Sequence, residues 1–179
     1  MDNESDADSD VCARCATASG TCCTLAPGNE EYCFPLSASE RVRMEGAGAE
    51  ALHFFRQANT APFVDNLCRL FPGESETIRG LFPNGGEHDR LAIGAGGACL
   101  LLGPQGCLLP RDARPLYCRL FPFWMRSGRE LYFQFDRCRA QQEAGGGGPG
   151  LMLRLGTSSA EIQTMYHELR RAWGLPEQT

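Results

Sequence analysis

The sequence predicts a small α+β domain stapled by metal, with short β-hairpins, several helices and a C-terminal amphipathic helix. Three observations carry that expectation. Eight of the ten cysteines fall into two groups, Cys12-x2-Cys15-x6-Cys22-Cys23 and then Cys99, Cys107, Cys118 and Cys138. Serine-led capping motifs open helices after Ser37 and Ser158. Glycine-bounded turns separate short apolar runs between Cys99 and Asp136.

Along the chain, residues 1–11 are acidic with little to bury and predict a disordered tail. Residues 12–25, rich in Ala, Thr, Ser and Gly, suit a compact loop wrapped around an ion. Ser37-Ala-Ser-Glu40 is a capping box for a helix that breaks at Gly46-Ala-Gly48 and resumes over residues 49–57. Pro62 suits a first helical position, with Phe63, Leu67, Leu70 and Phe71 on one face. Residues 74–82 add a helical segment that groups Ile78, Leu81 and Phe82. Residues 37–83 therefore read as a helical insert inside a cysteine domain spanning 12–140.

Cys99-Leu-Leu-Leu, Gly103-Pro-Gln-Gly106 and Cys107-Leu-Leu predict a hairpin that aims both cysteines at a shared ion. Residues 121–126 and 129–136 flank Ser127-Gly128 and predict a second hairpin, with Leu131, Phe133 and Phe135 facing inward. Residues 141–157 form a Gly-rich linker. The last helix, 158–174, is capped by Ser158 and Glu161 and carries the stripe Ile162, Met165, Tyr166, Leu169 and Trp173, which docks it onto the core. His167 falls on its polar face.

Composition narrows the function classes. At 42% hydrophobic and 22% charged, the chain has the make-up of a folded globular protein. A net charge of −5 gives no electrostatic footprint for nucleic acid, so none is expected as a partner. All the basic residues are arginine, which excludes Schiff-base chemistry, a phosphate-loop lysine and a lysine general base. No apolar run reaches the roughly 18 residues of a membrane span, and the acidic start does not resemble a secretory signal. A cytoplasmic protein with reduced thiols is expected, and reduced thiols at this density serve as metal ligands rather than disulfides.

Cys12-x2-Cys15 is the shortest spacing that lets two thiolates chelate one ion. In an extended backbone Cys22 and Cys23 would point to opposite sides and serve different ions, or opposite faces of one cluster. Eight thiolates satisfy two tetrahedral zinc sites, or one or two iron–sulfur cubanes, and ligand type does not choose between zinc and iron. His53, His88 and His167 stand apart from the cysteines and read as structural or exposed. Cys33 and Cys68 read as buried free thiols packing like small apolar residues, although Cys68 opens the same Cys-Arg-Leu-Phe-Pro run as Cys118 and so has a further-ligand reading beside that one. Arg114 and Arg119 flank Cys118 and are read as hydrogen-bond donors to thiolate sulfur, offsetting the charge of a four-thiolate site.

The order Cys-x2-Cys…Cys-Cys, then Cys99 with Leu102 and Cys107, then Arg114-Pro115-x-x-Cys118-Arg119-x-Phe121-Pro122, then Cys138, resembles the bacterial YkgJ cysteine-cluster family. The match covers residues 12 to about 140. Its most specific part is Arg-Pro-Leu-Tyr-Cys-Arg-Leu-Phe-Pro. The resemblance implies a zinc- or iron-chelating domain with eight ligands: Cys12, Cys15, Cys22, Cys23, Cys99, Cys107, Cys118 and Cys138. Glu40 resembles the family's acidic residue that opens a helix after the first cysteine group.

The motif also resembles one in flagellin lysine N-methylases, so an iron–sulfur enzyme or redox protein acting on another protein is the rival class. A metal-shaped interaction module is a third, its protein partner unspecified. No Cys-x3-Cys-x2-Cys run or paired-carboxylate arrangement points to a particular catalytic chemistry.

Overall fold

A computed structural model describes residues 6–17, 21–26, 28–145 and 147–177, with the side chains of 6–10 left aside. It is mixed α+β. Three two-stranded antiparallel sheets are set among helices.

The first element is α1 (Asp6–Ala16). Both the tail expected over residues 6–11 and the start of the expected loop are therefore helical; residues 1–5 lie outside the described residues. Val11 on α1 is 4% exposed and belongs to the main core. Arg14 on α1 pairs with Glu143 at 2.7 Å, which fixes α1 against the segment after Cys138. Tertiary packing here outweighs the local composition.

The predicted capping box is present. Ser37 caps α2 (Ala38–Gly46), its hydroxyl accepting from Glu40 N–H while the Glu40 carboxylate accepts from Ser37 N–H. Residues 49–57 do not resume the helix. After a 3₁₀ turn (Ala51–His53) comes strand β1 (Phe54–Ala58), paired with β2 (Glu87–Leu91) from Phe54↔Leu91 to Ala58↔Glu87. The strand wins because its partner is brought back from beyond an intervening insertion. Arg56 pairs across the sheet with Glu87, and Phe55 lies under the Arg90 guanidinium.

Between those strands sit α3 (Ala61–Leu70) and α4 (Ser75–Leu81), so the insert is a helix pair mounted on a hairpin. Thr60 caps α3, Pro62 takes its second position, and Phe63, Val64 and Leu67 are buried. Of the three residues grouped by that spacing, Ile78 and Phe82 are buried and Leu81 is exposed.

The Cys99–Cys107 hairpin is short: β3 (Leu102–Gly103) pairs with β4 (Gly106–Cys107). The second hairpin, β5 (Phe123–Arg126) with β6 (Arg129–Tyr132), turns on Ser127 and Gly128, both at positive φ (50° and 71°), which suits the twist of the strands. Its facing differs from the prediction. Leu131 and Phe133 are exposed, and the buried side belongs to Phe123, Trp124 and Met125. The strand that the core covers is β5, whose three consecutive residues are buried on both faces.

Cys118 rides on α5 (Leu116–Leu120). The expected linker is not a plain linker: α6 (Arg139–Glu143) and α7 (Gly148–Arg154) lie there, with Ala140 and Leu151 in the core. The final helix α8 (Ser159–Ala172) has the predicted cap and docked stripe, and His167 is exposed. Arg170, 2% exposed, forms a two-pronged pair with Glu74 just before α4 (2.8 and 2.7 Å), tying the two ends of the core together.

Apolar packing divides in two. The larger core joins α1, α3, α4, α5, β5, α6, α7 and α8. A smaller one gathers Met44, Ala49, Phe54, Leu101, Leu109 and Ala113, with Cys99 and Cys107 packed against it.

Candidate functional site

A cleft of about 180 Å³ opens between these two cores, and eight cysteines line it: Cys12, Cys15, Cys22, Cys23, Cys33, Cys99, Cys107 and Cys118. Seven of them are among the eight singled out by spacing. The eighth predicted residue, Cys138, does not line the cleft itself but lies close enough to Cys15 to act on its charge.

Each thiol arrives by a distinct local route. On α1, Cys12 and Cys15 are three residues apart and so share a helix face. They meet the second group at Gly106, whose φ of 94° favours glycine and whose Cβ position lies at ordinary contact distance, 3.5 Å, from the Cys12 carbonyl carbon. Cys22 and Cys23 occupy the centre of a turn closed by Thr24 N–H donating to Thr21 O at 2.9 Å. Being in a turn rather than an extended segment, their side chains do not diverge as predicted; the two thiols hydrogen-bond to each other.

The turn is then stitched to the second group. Leu25 N–H donates to Gly97 O, and Cys99 N–H to Cys23 O, both at 2.8 Å. Gly97 permits this, since a Cβ there would collide with Leu25 O. Cys118 is placed by Glu40, which is 1% exposed: its Oε1 accepts from Leu116 N–H at 2.8 Å, at the start of α5. One carboxylate thus caps α2 and anchors the helix that carries Cys118. The sequence marks Glu40 as a cap; its second role depends on a contact across 76 residues. Cys138 precedes α6, held by its N–H to Phe135 O at 2.7 Å.

Electrostatics make this a cluster in more than outline. Cys23 is near enough to Cys15, Cys22, Cys99, Cys107 and Cys118 for its charge to act on all five. Burial raises Cys15, Cys107 and Cys118 and pushes the Cys99 thiol up to about 12, with neighbouring thiolates adding to each. Cys118 is closely surrounded by protein yet, like Cys22, keeps accessible surface on the cleft wall. The hydrogen bond from Cys22 holds Cys23 below the usual thiol range and Cys22 above it.

Sulfur is also met by donors. Backbone N–H groups of Arg139, Leu101 and Leu109 point to Cys15, Cys99 and Cys107, and the Arg114 guanidinium bonds Cys107. These donors favour thiolate over thiol. Arg119 does not share that role. Its guanidinium sits among Arg43, Arg111, Asp112 and Glu168, and its buried Nε has no hydrogen-bond partner among the described residues. It follows Cys118 by one residue, and on a helix adjacent side chains diverge.

Three other residues complete the account. His88 is structural: its ring stacks on Phe63 at 3.9 Å, and Nδ1 bonds Asn59 Oδ1 at 2.8 Å. Cys68 packs on the main core away from the cleft, its thiol approaching Ser75 O. His53 accepts from Glu50 N–H.

Among the described residues, no three His, Cys, Asp or Glu side chains converge on one point as a ready ligand set. The thiols share a cleft without closing on a common centre. Chemically they fit a soft cation: many sulfurs, donors aimed at them, and mutual thiolate repulsion that a cation would relieve. No family model, no curated protein and no solved structure matches this chain. No helix among the described residues is long and apolar enough to cross a membrane.

Proposed function

We propose that the chain is a cysteine-ligated metal-binding protein taking zinc or iron, with the metal at least partly structural and YkgJ-like in its ligand pattern. The observation that carries this is the cleft between two apolar cores on which cysteines from separate stretches of chain face one another. Cys12, Cys15, Cys22, Cys23, Cys99, Cys107, Cys118 and Cys138 would hold the metal. Bound metal would supply a cross-link between the separate segments that carry these thiols.

The chain's own residues do the positioning. Glu40 sets the helix that bears Cys118, Gly97 lets the Cys23 and Cys99 segments pair, and the three N–H donors with Arg114 offset thiolate charge. Such thiols need a reducing compartment, and we place the protein in the cytoplasm. The test is metal content with an absorbance spectrum. Zinc without a visible band favours closed four-thiolate sites. Iron with acid-labile sulfide and a broad visible band shifts the reading to a cluster protein.

A further inference from the structure

We infer that Cys33 is an additional thiol of the same centre, binding a soft divalent cation on the Cys99 side of the cleft. This rests on the metal-binding reading above. Spacing gives Cys33 no role, since it stands ten residues beyond Cys23 and outside both cysteine groups. The fold returns it to them.

A 3₁₀ turn (Glu30–Tyr32) ends on Cys33, whose N–H donates to Glu30 O at 3.0 Å. The next residue, Phe34, stacks on Tyr117 at 3.6 Å, immediately before Cys118. Two residues further, Leu36 N–H donates to Asp89 O at 2.7 Å and joins the segment to β2. Cys33 is therefore held at a defined place in the cleft wall. It lies close enough to Cys99 for their charges to interact, and Arg90 supplies a positive charge beside it.

Cys68 provides an internal control. It is the other cysteine outside the two groups, comparably half-buried, yet it packs on the core and does not line the cleft. With Cys33 included, the centre has nine thiols for the eight that two four-thiolate sites require.

The experiment is alkylation footprinting of the full reduced chain with iodoacetamide, with and without zinc, read cysteine by cysteine by mass spectrometry. We expect zinc to slow modification of both Cys33 and Cys99 at least about 10-fold and to leave the rate at Cys68 unchanged. Cobalt(II) titration of Cys33→Ser should show a weaker thiolate-to-cobalt band and at least about 10-fold lower affinity, with Cys68→Ser matching the parent chain. Protection of Cys99 without Cys33 overturns this inference and leaves the metal reading standing. Protection of neither overturns this inference and the zinc form of the metal reading with it.

Discussion

Gly97 is the residue at which one added carbon bears most directly on the cleft. Its φ of 80° and the collision an added Cβ would make with Leu25 O mean that Gly97→Ala must separate the Cys23 and Cys99 segments. The expected cost is about 1–3 kcal/mol from backbone strain alone, with reduced metal uptake; a denaturation curve and metal content on the same sample check both. Glu40 is the second such residue. Glu40→Ala leaves Ser37 and Leu116 N–H groups without their acceptor and should cost on the order of 2–3 kcal/mol, seen as a lower urea midpoint. His88 sets a pH dependence. Burial, with the Arg90 charge adding, lowers it to about 4; Nδ1 is engaged with Asn59 and Nε2 is buried without a partner among the described residues, so a second proton has nowhere favourable to go. The folded state thus binds fewer protons than the unfolded chain between pH 6.5 and about 4, and stability falls as pH drops through that window, by up to about 3 kcal/mol. Comparing the parent chain with His88→Gln at each pH cancels any effect of acid on metal; equal slopes would contradict the assignment.

At the scale of elements, what local chemistry specifies is legible in the sequence, and what distant partners specify is not. The boxes at Ser37/Glu40 and Ser158/Glu161 are complete within a single turn, and both helices start where those residues place them. β1 reads locally as helix because its partner, β2, lies across the α3–α4 insertion. The α6–α7 stretch reads as linker because its glycines outweigh Leu151, whose burial depends on distant parts of the main core. The cysteine pattern locates seven cleft thiols from spacing alone, whereas Cys33 depends on the Leu36–Asp89 bridge, which no window of sequence contains. The same contrast predicts stabilities. Ser158→Ala removes an exposed cap of α8 and should cost about 1 kcal/mol. Glu74→Ala strands the buried Arg170 guanidinium and should cost on the order of 3 kcal/mol, so thermal unfolding should rank the second variant clearly below the first.

For the whole molecule, the central feature is two apolar cores with a thiol-lined cleft between them. If metal joins the cores, a chelator should loosen the cleft walls before the interior of the larger core. Hydrogen exchange should then rise first at the Cys22–Cys23 turn, the β3–β4 hairpin and α5, while α3 and α8 stay protected longest. The most direct measurement is elemental analysis with an absorbance spectrum on protein purified without oxygen or chelators. The account predicts stoichiometric metal, either roughly two zinc per chain without a visible band or iron with matching sulfide and a broad visible band. Protein that holds no metal and carries its cysteines as mixed disulfides would contradict it.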